Sequence, residues 1–359
     1  MRKLIVVSVH PIHYNDFLFH EINKSGIDIT VHYANKILAN YPWKQKLDYS
    51  FPHRNCNYFL GIDWYLIRQA IFSRNTTFII AGWDTFFKNV LLLTLILFCR
   101  RYVVWTDTVK PNAKRIFLKS AMRAWWLGGV WSNAYRILTT GEVGVRAMLK
   151  IYSKGINKII NFPFAADLNY FNTTPDLTTF NNEKIILSSG RLLNSHKGYD
   201  VAIRALSIVR DKGYKFKYFI AGTGPDEKAL KDLIRERNLE EHIILLGWQE
   251  LPNVKALYAK AHIFLHPAHF DPFPNAVLEA MASALIVIAS DQSGSAVERI
   301  ENGVSGFIFK DNDVAGLAEC IINVFRCKIN ELEATSKAAR ATSKKWDVSY
   351  NVNIIKGVL

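Results

Sequence analysis

Short apolar runs that alternate with helical patterns constrain the fold of this chain more than any other feature. In the first half, strands are predicted at 4–9, 27–32, 77–80 and 102–106, and helices at 17–22 and 62–72. In the second half, strands are predicted at 184–189, 243–246, 263–265 and 286–289, and a helix at 199–212. This alternation indicates parallel sheets covered by helices on both faces. Ligands of such α/β folds bind beyond the carboxyl ends of the strands.

The chain length and one polar stretch predict two domains. A chain of 359 residues can build two separate cores. Pro163 stops a continuing helix, and the polar run 169–182 follows it. We therefore expect a first domain at 1–165, a linker at 166–182 and a second domain that begins at 183.

Residues 263–279 carry the strongest functional signal. An apolar run predicts a buried strand, a loop with three prolines follows, and Asn275 can cap a helix. Asp271 lies in the loop, and Glu279 lies about one turn into the helix. A helix N-terminus suits a phosphate, and ionised carboxylates suit the hydroxyls of a sugar or ribose. Alone, this spacing also fits a helix N-terminus with incidental acids.

The run from Asp271 to Glu279 resembles the Glu-x7-Glu signature of family-4 retaining glycosyltransferases, with Asp at the first position. The resemblance implies a GT-B fold, in which two Rossmann-like doubly wound domains face each other across a cleft. The first domain would bind the acceptor, and residues 183–340 would bind a nucleotide-sugar. Residues 341–359 resemble the family's terminal segment, which crosses back to the first domain.

The resemblance also assigns residues. Glu279 would bind the donor ribose, and Asp271, a catalytic residue, the transferred sugar's hydroxyls. Gly190-Arg191-Leu192 and Lys197-Gly198 look like the family's "G-R-L…K-G" element, in which Arg191 and Lys197 bind the donor diphosphate. Two cations stabilise the charge that develops on a leaving diphosphate. Five residues separate these two cations, one more than in the commoner form, and both also fit solvated surface positions.

Further candidates line the same sites. The resemblance implies donor-binding backbone or side-chain groups at Gly190, Asn275, Ser293, Gly294 and Ser295. The loop 293–295 also fits a plain surface turn. In the first domain, the first loop resembles family members with a His/Tyr/Asn cluster, which makes acceptor-side candidates of His13, Tyr14 and Asn15. A hydrogen bond that tightens this loop is the alternative.

Charge is concentrated in the first half. Residues 1–180 hold 22 lysines and arginines against 10 aspartates and glutamates, and residues 181–359 hold 23 against 21. Such a basic half favours a polyanionic partner, either nucleic acid or anionic lipid. Arg115, Lys119 and Arg123 form a stripe beside tryptophans, a pattern typical of a membrane-surface helix. An ordinary amphipathic helix that packs on the sheet is the alternative.

Other sequence features argue against cofactors and spanning helices. Gly222-x-Gly224 lacks the third glycine of a dinucleotide fingerprint, so a nicotinamide cofactor is not expected. Asp311-Asn-Asp313 has metal-binding spacing but lies in a late segment, so we expect metal independence. The stretch 90–99 is about half a membrane span and predicts a buried helix. The four cysteines form no C-x-x-C pair, which favours the cytoplasm.

Together these features predict a metal-independent glycosyltransferase of hexosyltransferase type, and the resemblance alone implies that it retains the configuration at the anomeric carbon. It would use a nucleotide-diphosphate-sugar donor, no further cofactor, and a glycan or lipid-linked acceptor in cell-surface polysaccharide or glycolipid synthesis. We expect a cytoplasmic protein, peripheral on the membrane, that does not bind nucleic acid. The alternatives are a GT-B epimerase or hydrolase of nucleotide-sugars, and a non-catalytic sugar-binding or nucleic-acid-binding protein.

Overall fold

The computed structural model describes residues 2–35, 50–107 and 117–359, and only the backbone of residues 117–121 and 123. The chain divides into two compact units. The first unit comprises Met1–Ala165 and Val348–Leu359, and the second comprises Ala166–Asp347.

The first unit is built on a parallel sheet. Its strands are β1 (Lys3–Ser8), β2 (Ile29–Tyr33), β3 (His53–Asn55), β4 (Thr76–Ala81), β5 (Tyr102–Thr106), β6 (Arg136–Thr139) and β7 (Ile159–Asn161). In the described ranges these seven strands lie in the order β3-β2-β1-β4-β5-β6-β7. The order reverses direction between β1 and β4, which is the switch point of a Rossmann-like sheet.

Helices cover both faces of this sheet because successive strand residues point to opposite sides. Leu4 and Val6 face one core, into which α1 (His13–Lys24) and α14 (Val348–Val358) pack. Ile5 and Val7 face the other core. That second core is covered by α2 (Trp64–Phe72), α3 (Phe86–Leu97), α4 (Phe117–Asn133) and α5 (Gly141–Ile151).

The second unit repeats this plan. Its strands are β8 (Lys184–Ser189), β9 (Phe216–Ala221), β10 (Ile243–Gly247), β11 (Ile263–His266), β12 (Ile286–Ser290) and β13 (Phe307–Phe309). They lie in the parallel order β10-β9-β8-β11-β12-β13, with the switch point between β8 and β11.

The helices of the second unit fall into three groups. One face of the sheet carries α7 (Tyr199–Asp211), α8 (Glu227–Glu236) and α12 (Val314–Arg326). The other face carries α9 (Leu251–Lys260), α10 (Asn275–Ala282) and α13 (Ile329–Ser343). The short helices α6 (Asn194–Lys197) and α11 (Gly294–Arg299) follow β8 and β12 at the carboxyl edge.

The predicted fold class is confirmed, since both units are Rossmann-like and doubly wound. The predicted strands begin within two residues of the observed ones. The apolar stretch 90–99 does form a helix against the sheet, but its last turn differs from the expectation: Leu97 is 68% exposed and Phe98 is 45% exposed. No helix of the described ranges is long and apolar enough to cross a membrane.

The unit boundaries differ from the predicted ones. Residues 166–182, expected as a linker, belong to the second unit. Phe171 and Phe180 are buried in the two cores of the second unit, so these aromatic side chains pack the polar stretch against that unit. The return to the first unit comes at Val348 and not at 341, because α13 still packs Ala339 into the second core.

Candidate functional site

In the second unit, glycines position the loop that follows β8. Gly198 has a left-handed backbone conformation, with φ of +62°. A Cβ atom at this position would overlap the carbonyl oxygen of Pro267. Because Gly198 carries no Cβ, the turn at the end of α6 lies directly against the loop after β11. This close approach places Lys197 beside Asp271.

Lys197, His266 and Asp271 form one cluster at the switch point. Lys197 Nζ donates a charged hydrogen bond to Asp271 Oδ2. His266 Nε2 lies 3.1 Å from the same oxygen and donates to it, because a carboxylate can only accept. No motif in the sequence marked His266, which is buried at the end of β11.

Electrostatics keep the Asp271 carboxylate ionised. Burial opposes its charge, but the His266 hydrogen bond and the Lys197 cation outweigh burial and hold the pKa of Asp271 well below its usual range. Burial lowers the pKa of His266, so its imidazole is neutral at neutral pH. The cluster is therefore a carboxylate, an ammonium and a neutral imidazole.

The loop 293–295 holds Asp271 in place. The backbone N–H of Gly294 donates to the Asp271 carbonyl at 2.9 Å, and that of Ser293 donates to Ser290 O at 3.1 Å. The Ser295 hydroxyl donates to Pro274 O at 2.8 Å. The N–H groups of Ser293 and Gly294, which were expected to donate to a ligand, thus donate to carbonyls of the protein itself. The buried Ser293 hydroxyl has no hydrogen-bond partner in the described part of the chain.

Glu279 lies in α10, with its side chain against a buried tyrosine. The hydroxyl of Tyr258 donates to Glu279 Oε2 at 3.2 Å. Burial raises the pKa of Glu279 to about 7, although the Tyr258 hydrogen bond favours the ionised form. Asn275 is the first residue of α10, and Pro274 takes the position before it, so Asn275 is not the cap that was expected.

Arg191 contrasts with Lys197. Its side chain is exposed where β8 ends, and in the described ranges it forms no ion pair. The backbone carbonyl of Arg191 accepts from the N–H of Leu193 at 2.8 Å, which fixes the turn. Of the two predicted diphosphate-binding cations, Lys197 is therefore engaged by Asp271, and Arg191 projects into solvent.

A second network, which the sequence did not predict, supports the same loops. His269 Nδ1 lies 2.7 Å from Asp311 Oδ1, and its Nε2 lies 3.3 Å from Asp200 Oδ1. Asp200 also accepts from Asn194 Nδ2 at 2.8 Å. His269 thus connects the Asp271 loop with the start of α7. Asp311, considered above as half of a metal site, accepts a hydrogen bond here, and Asp313 caps α12.

Arg299 is a further residue that no sequence pattern marked. It is 3% exposed, and its guanidinium carbon lies 4.4 Å from the ring centroid of Phe273 and 5.0 Å from that of Trp346. In the described part of the chain its three side-chain nitrogens have no hydrogen-bond partner. The two rings stabilise the cation by cation–π contact. Through Phe273, this contact supports the segment between Asp271 and Glu279.

Close packing of the backbone explains why residues 222 and 224 are both glycine. Cβ atoms at Gly222 and Gly224 would overlap backbone atoms of Gly190 and Leu192. The two glycines therefore serve the contact between neighbouring loops. In the described ranges, no group of three His, Cys, Asp or Glu side chains is arranged to hold a metal ion.

In the first unit, the acceptor-side candidates lie where β1 ends and α1 begins. His13 is the first residue of α1, and its ring packs edge-on against Tyr14, with centroids 5.5 Å apart. The ring of Tyr14 also packs on Phe164 at 5.0 Å. Asn15 is partly exposed in the same turn. These three residues are thus side by side at the carboxyl edge.

Lys88 is an unpredicted charged residue near this edge. It is fully buried, and its Nζ donates to Ala81 O and to Asp84 Oδ1, each at 2.7 Å. The i,i+4 spacing of Asp84 and Lys88 is the sequence signal that could have revealed the pair. Of the predicted basic stripe, Arg115 is outside the described residues, as are the side chains of Lys119 and Arg123.

Comparison with known proteins finds matches that centre on the second unit. Residues 172–342, all within that unit, match the family model "Glycosyl transferases group 1". The amylovoran biosynthesis glycosyltransferase AmsK of Erwinia amylovora is 36% identical over 175 residues, which cover 47% of this chain and 42% of AmsK. The 2-deoxystreptamine N-acetyl-D-glucosaminyltransferase of Niallia circulans is 24% identical over 65% of this chain and 60% of that protein. The chain spans less than half the length of AmsK.

Solved structures resemble the whole chain. Anabaena Alr3699/HepE in complex with UDP superposes with a TM-score of 0.79 at 17% identity, and the match covers 100% of this chain and 99% of that one. At this identity the likeness shows the fold. The GT-B type expected from the sequence is therefore confirmed.

Substituting Gly198 tests the loop contact. Gly198→Ala should lower the free energy of unfolding by about 1–2 kcal/mol for the left-handed backbone and by about 1–3 kcal/mol more for the overlap with Pro267. Gly213→Ala is the matched control, since Gly213 has φ of +83° with open space around its Cβ position. Denaturant unfolding measures both. Equal losses in the two variants would contradict the close approach.

The pKa of Glu279 predicts a pH effect on stability. An ordinary glutamate ionises near 4.5, whereas folded Glu279 keeps its proton to about pH 7. As the pH rises, Glu279 therefore ionises in the unfolded state before it does so in the folded state. This lowers the free energy of unfolding between about pH 4.5 and pH 7. Glu279→Gln should remove that part of the slope, as measured by unfolding at several pH values. The exposed control Glu301→Gln should leave the slope unchanged, and an unchanged slope in Glu279→Gln would contradict the assignment.

Proposed function

We propose that the chain is a glycosyltransferase that moves a hexosyl group from a nucleotide-diphosphate-sugar to a hydroxyl acceptor, with retention and without a metal. The contact of Lys197 and His266 with an ionised Asp271 carries the proposal. It lies at the switch point of a unit that matches group 1 glycosyl transferases.

Arg191 and Lys197 would bind the donor diphosphate. As the glycosidic bond breaks, negative charge develops on the leaving phosphate, and positioned cations lower the energy of that state. The exposed Arg191 can bind two phosphate oxygens with its planar guanidinium. Lys197, oriented by Asp271, supplies the second charge. Two such cations provide the stabilisation that a divalent metal provides in other enzymes.

Asp271 would bind the hydroxyls of the transferred sugar. Because its carboxylate stays ionised, it accepts hydrogen bonds and stabilises positive charge that develops at the anomeric carbon. Both partners sit on Oδ2, which lowers the nucleophilicity of that oxygen. This favours a front-face reaction, in which the acceptor attacks on the side of the leaving group and the departing phosphate oxygen takes the acceptor proton.

The other residues that would contact the nucleotide-sugar are assigned from their position at the carboxyl edge of the second sheet. Glu279 would bind the ribose, with Tyr258 holding one carboxylate oxygen. Gly190 and Asn275 would border the phosphates. We assign the 293–295 loop chiefly to positioning Asp271, and we assign the buried Ser293 hydroxyl to a direct contact with the donor. No cofactor besides the donor is required.

The acceptor would be a glycan or a lipid-linked glycan bound by the first unit. His13, Tyr14 and Asn15 offer hydrogen-bonding and stacking groups at its carboxyl edge. AmsK is named for the biosynthesis of amylovoran, and we place the present chain in polysaccharide or glycolipid synthesis. The excess of cations in residues 1–180 supports a cytoplasmic protein that associates peripherally with membrane.

The cation at Arg191 is tested by substitution. Arg191→Ala should lower kcat by about 10²–10³-fold, the cost of removing one donor from developing charge. Arg204→Ala, on the exposed face of α7, is the matched control and should keep full activity. Release of nucleoside diphosphate from a panel of nucleotide-sugars with mixed glycan acceptors measures both. A wild-type rate in Arg191→Ala would overturn the diphosphate role.

The role of Asp271 is tested by a pair of changes. Asp271→Glu restores the acid common in the family and should retain activity, whereas Asp271→Ala should lose most of it because no acceptor replaces the carboxylate. Product analysis with donor alone separates the reaction classes. Net epimerisation or hydrolysis that needs no acceptor would contradict glycosyl transfer, and equal rates in all three proteins would remove Asp271 from the site.

A further inference from the structure

A second basic site lies in the first unit, at the opposite edge of the sheet from His13. An open pocket of about 470 Å³ is formed where β5 and β6 begin and just before β7. Its lining includes two aromatic residues, Tyr102 and Tyr135, and four cations: Arg100, Arg101, Arg136 and Lys158. β5 spans five residues, which separates this pocket from the carboxyl edge by about 16 Å.

Among the described residues, the hydrogen bonds that the cations of the pocket donate all go to backbone carbonyls. Arg100 donates to the last carbonyls of α2, those of Ala70 and Ile71. Lys158 Nζ donates to Ser132 O at 2.6 Å and to Ala134 O at 3.0 Å, at the end of α4. No aspartate or glutamate is among the described residues that line the pocket. Helix C-termini carry only a partial negative charge, so within the described ranges these four unit charges are not neutralised.

Tyr135 orders the two remaining arginines. The guanidinium carbon of Arg101 lies 3.5 Å from the Tyr135 ring centroid, and that of Arg136 lies 4.5 Å from it. In the described part of the chain, the buried Arg101 Nε has no hydrogen-bond partner. Stacking on a ring leaves the edges of a guanidinium free to bind an anion. A phosphate, with several charged oxygens, matches this arrangement.

Exposed apolar side chains border the pocket. Leu97 is 68% exposed and Phe98 45% exposed, and both directly precede pocket residue Cys99. Phe72, 72% exposed, directly follows Ile71, to which Arg100 is bonded. A soluble phosphate gains nothing from such a border. A phosphate group at the surface of a bilayer does, because aromatic and aliphatic side chains insert at the boundary of the acyl chains.

We propose that this pocket binds the phosphate group of an anionic membrane lipid, with Phe72, Leu97 and Phe98 inserted beside it. The cations and the apolar residues would together hold the amino edge of the first unit on the bilayer. The proposal uses none of the residues of the predicted stripe, Arg115, Lys119 and Arg123, and it does not depend on the proposed sugar transfer.

Vesicle co-sedimentation tests the proposal. The wild-type chain should bind vesicles of phosphatidylcholine with one-third phosphatidylglycerol, should not bind pure phosphatidylcholine, and should dissociate as salt is raised. Arg101→Gln/Arg136→Gln should weaken binding by about 30-fold, since each cation near an anionic surface contributes about fivefold. Leu97→Ser/Phe98→Ser should weaken it as well.

A charge-matched control removes two cations elsewhere in the first unit. Arg68→Gln/Arg146→Gln changes two exposed residues outside the pocket and should bind nearly as the wild type does. Far-ultraviolet circular dichroism and melting of each variant confirm folding.

Three outcomes overturn the proposal. The first is failure of the wild type to bind anionic vesicles. The second is an unexpected pattern among the variants. Either the pocket variant and its control lose binding equally, or binding is lost only when the predicted basic stripe is changed, in Arg115→Gln/Lys119→Gln. The third is stabilisation of the wild type, but not of Arg101→Gln/Arg136→Gln, by inorganic phosphate with no vesicle binding, which would assign the pocket to a soluble phosphate.

Discussion

The contact between Gly198 and the carbonyl of Pro267 is the constraint on which the candidate site depends. Only a residue without a Cβ atom lets the turn after β8 lie against the loop after β11. Without this approach Lys197 would not reach Asp271, and the carboxylate would keep only His266 of the two groups that hold its pKa down. The absence of one methyl group therefore sets the geometry of the cluster and strengthens the ionisation of Asp271.

The structure surrounds that cluster with supports of different kinds. His266 binds the side chain of Asp271, and the 293–295 loop binds its backbone carbonyl. His269 connects the neighbouring loop to Asp200 and Asp311, so the position of Asp271 depends on three separate segments of the chain. Among the described residues, none supports the Arg191 side chain in this way. The site thus combines a rigid carboxylate with one exposed cation that is free to bind a ligand.

The two edges of the first sheet differ in chemistry. The carboxyl edge carries neutral and aromatic groups around His13, together with the paired Asp84 and Lys88. The amino edge carries unneutralised cations stacked on Tyr135 and bordered by exposed apolar side chains. Ligand binding at the first edge and membrane contact at the second would not compete, because a whole strand length separates them.

The sequence by itself determined the alternation of strands and helices, because apolar periodicity and glycine or proline turns are local properties. It also marked Arg191, Lys197, Asp271 and Glu279 as candidate site residues, because their spacing is fixed along the chain. Only the tertiary structure decided that Lys197 is paired with Asp271, that His266 and Arg299 belong to the same region, and that residues 166–182 pack into the second unit. These contacts join residues far apart in sequence, and their energies depend on burial and on mutual distance, which no local pattern encodes.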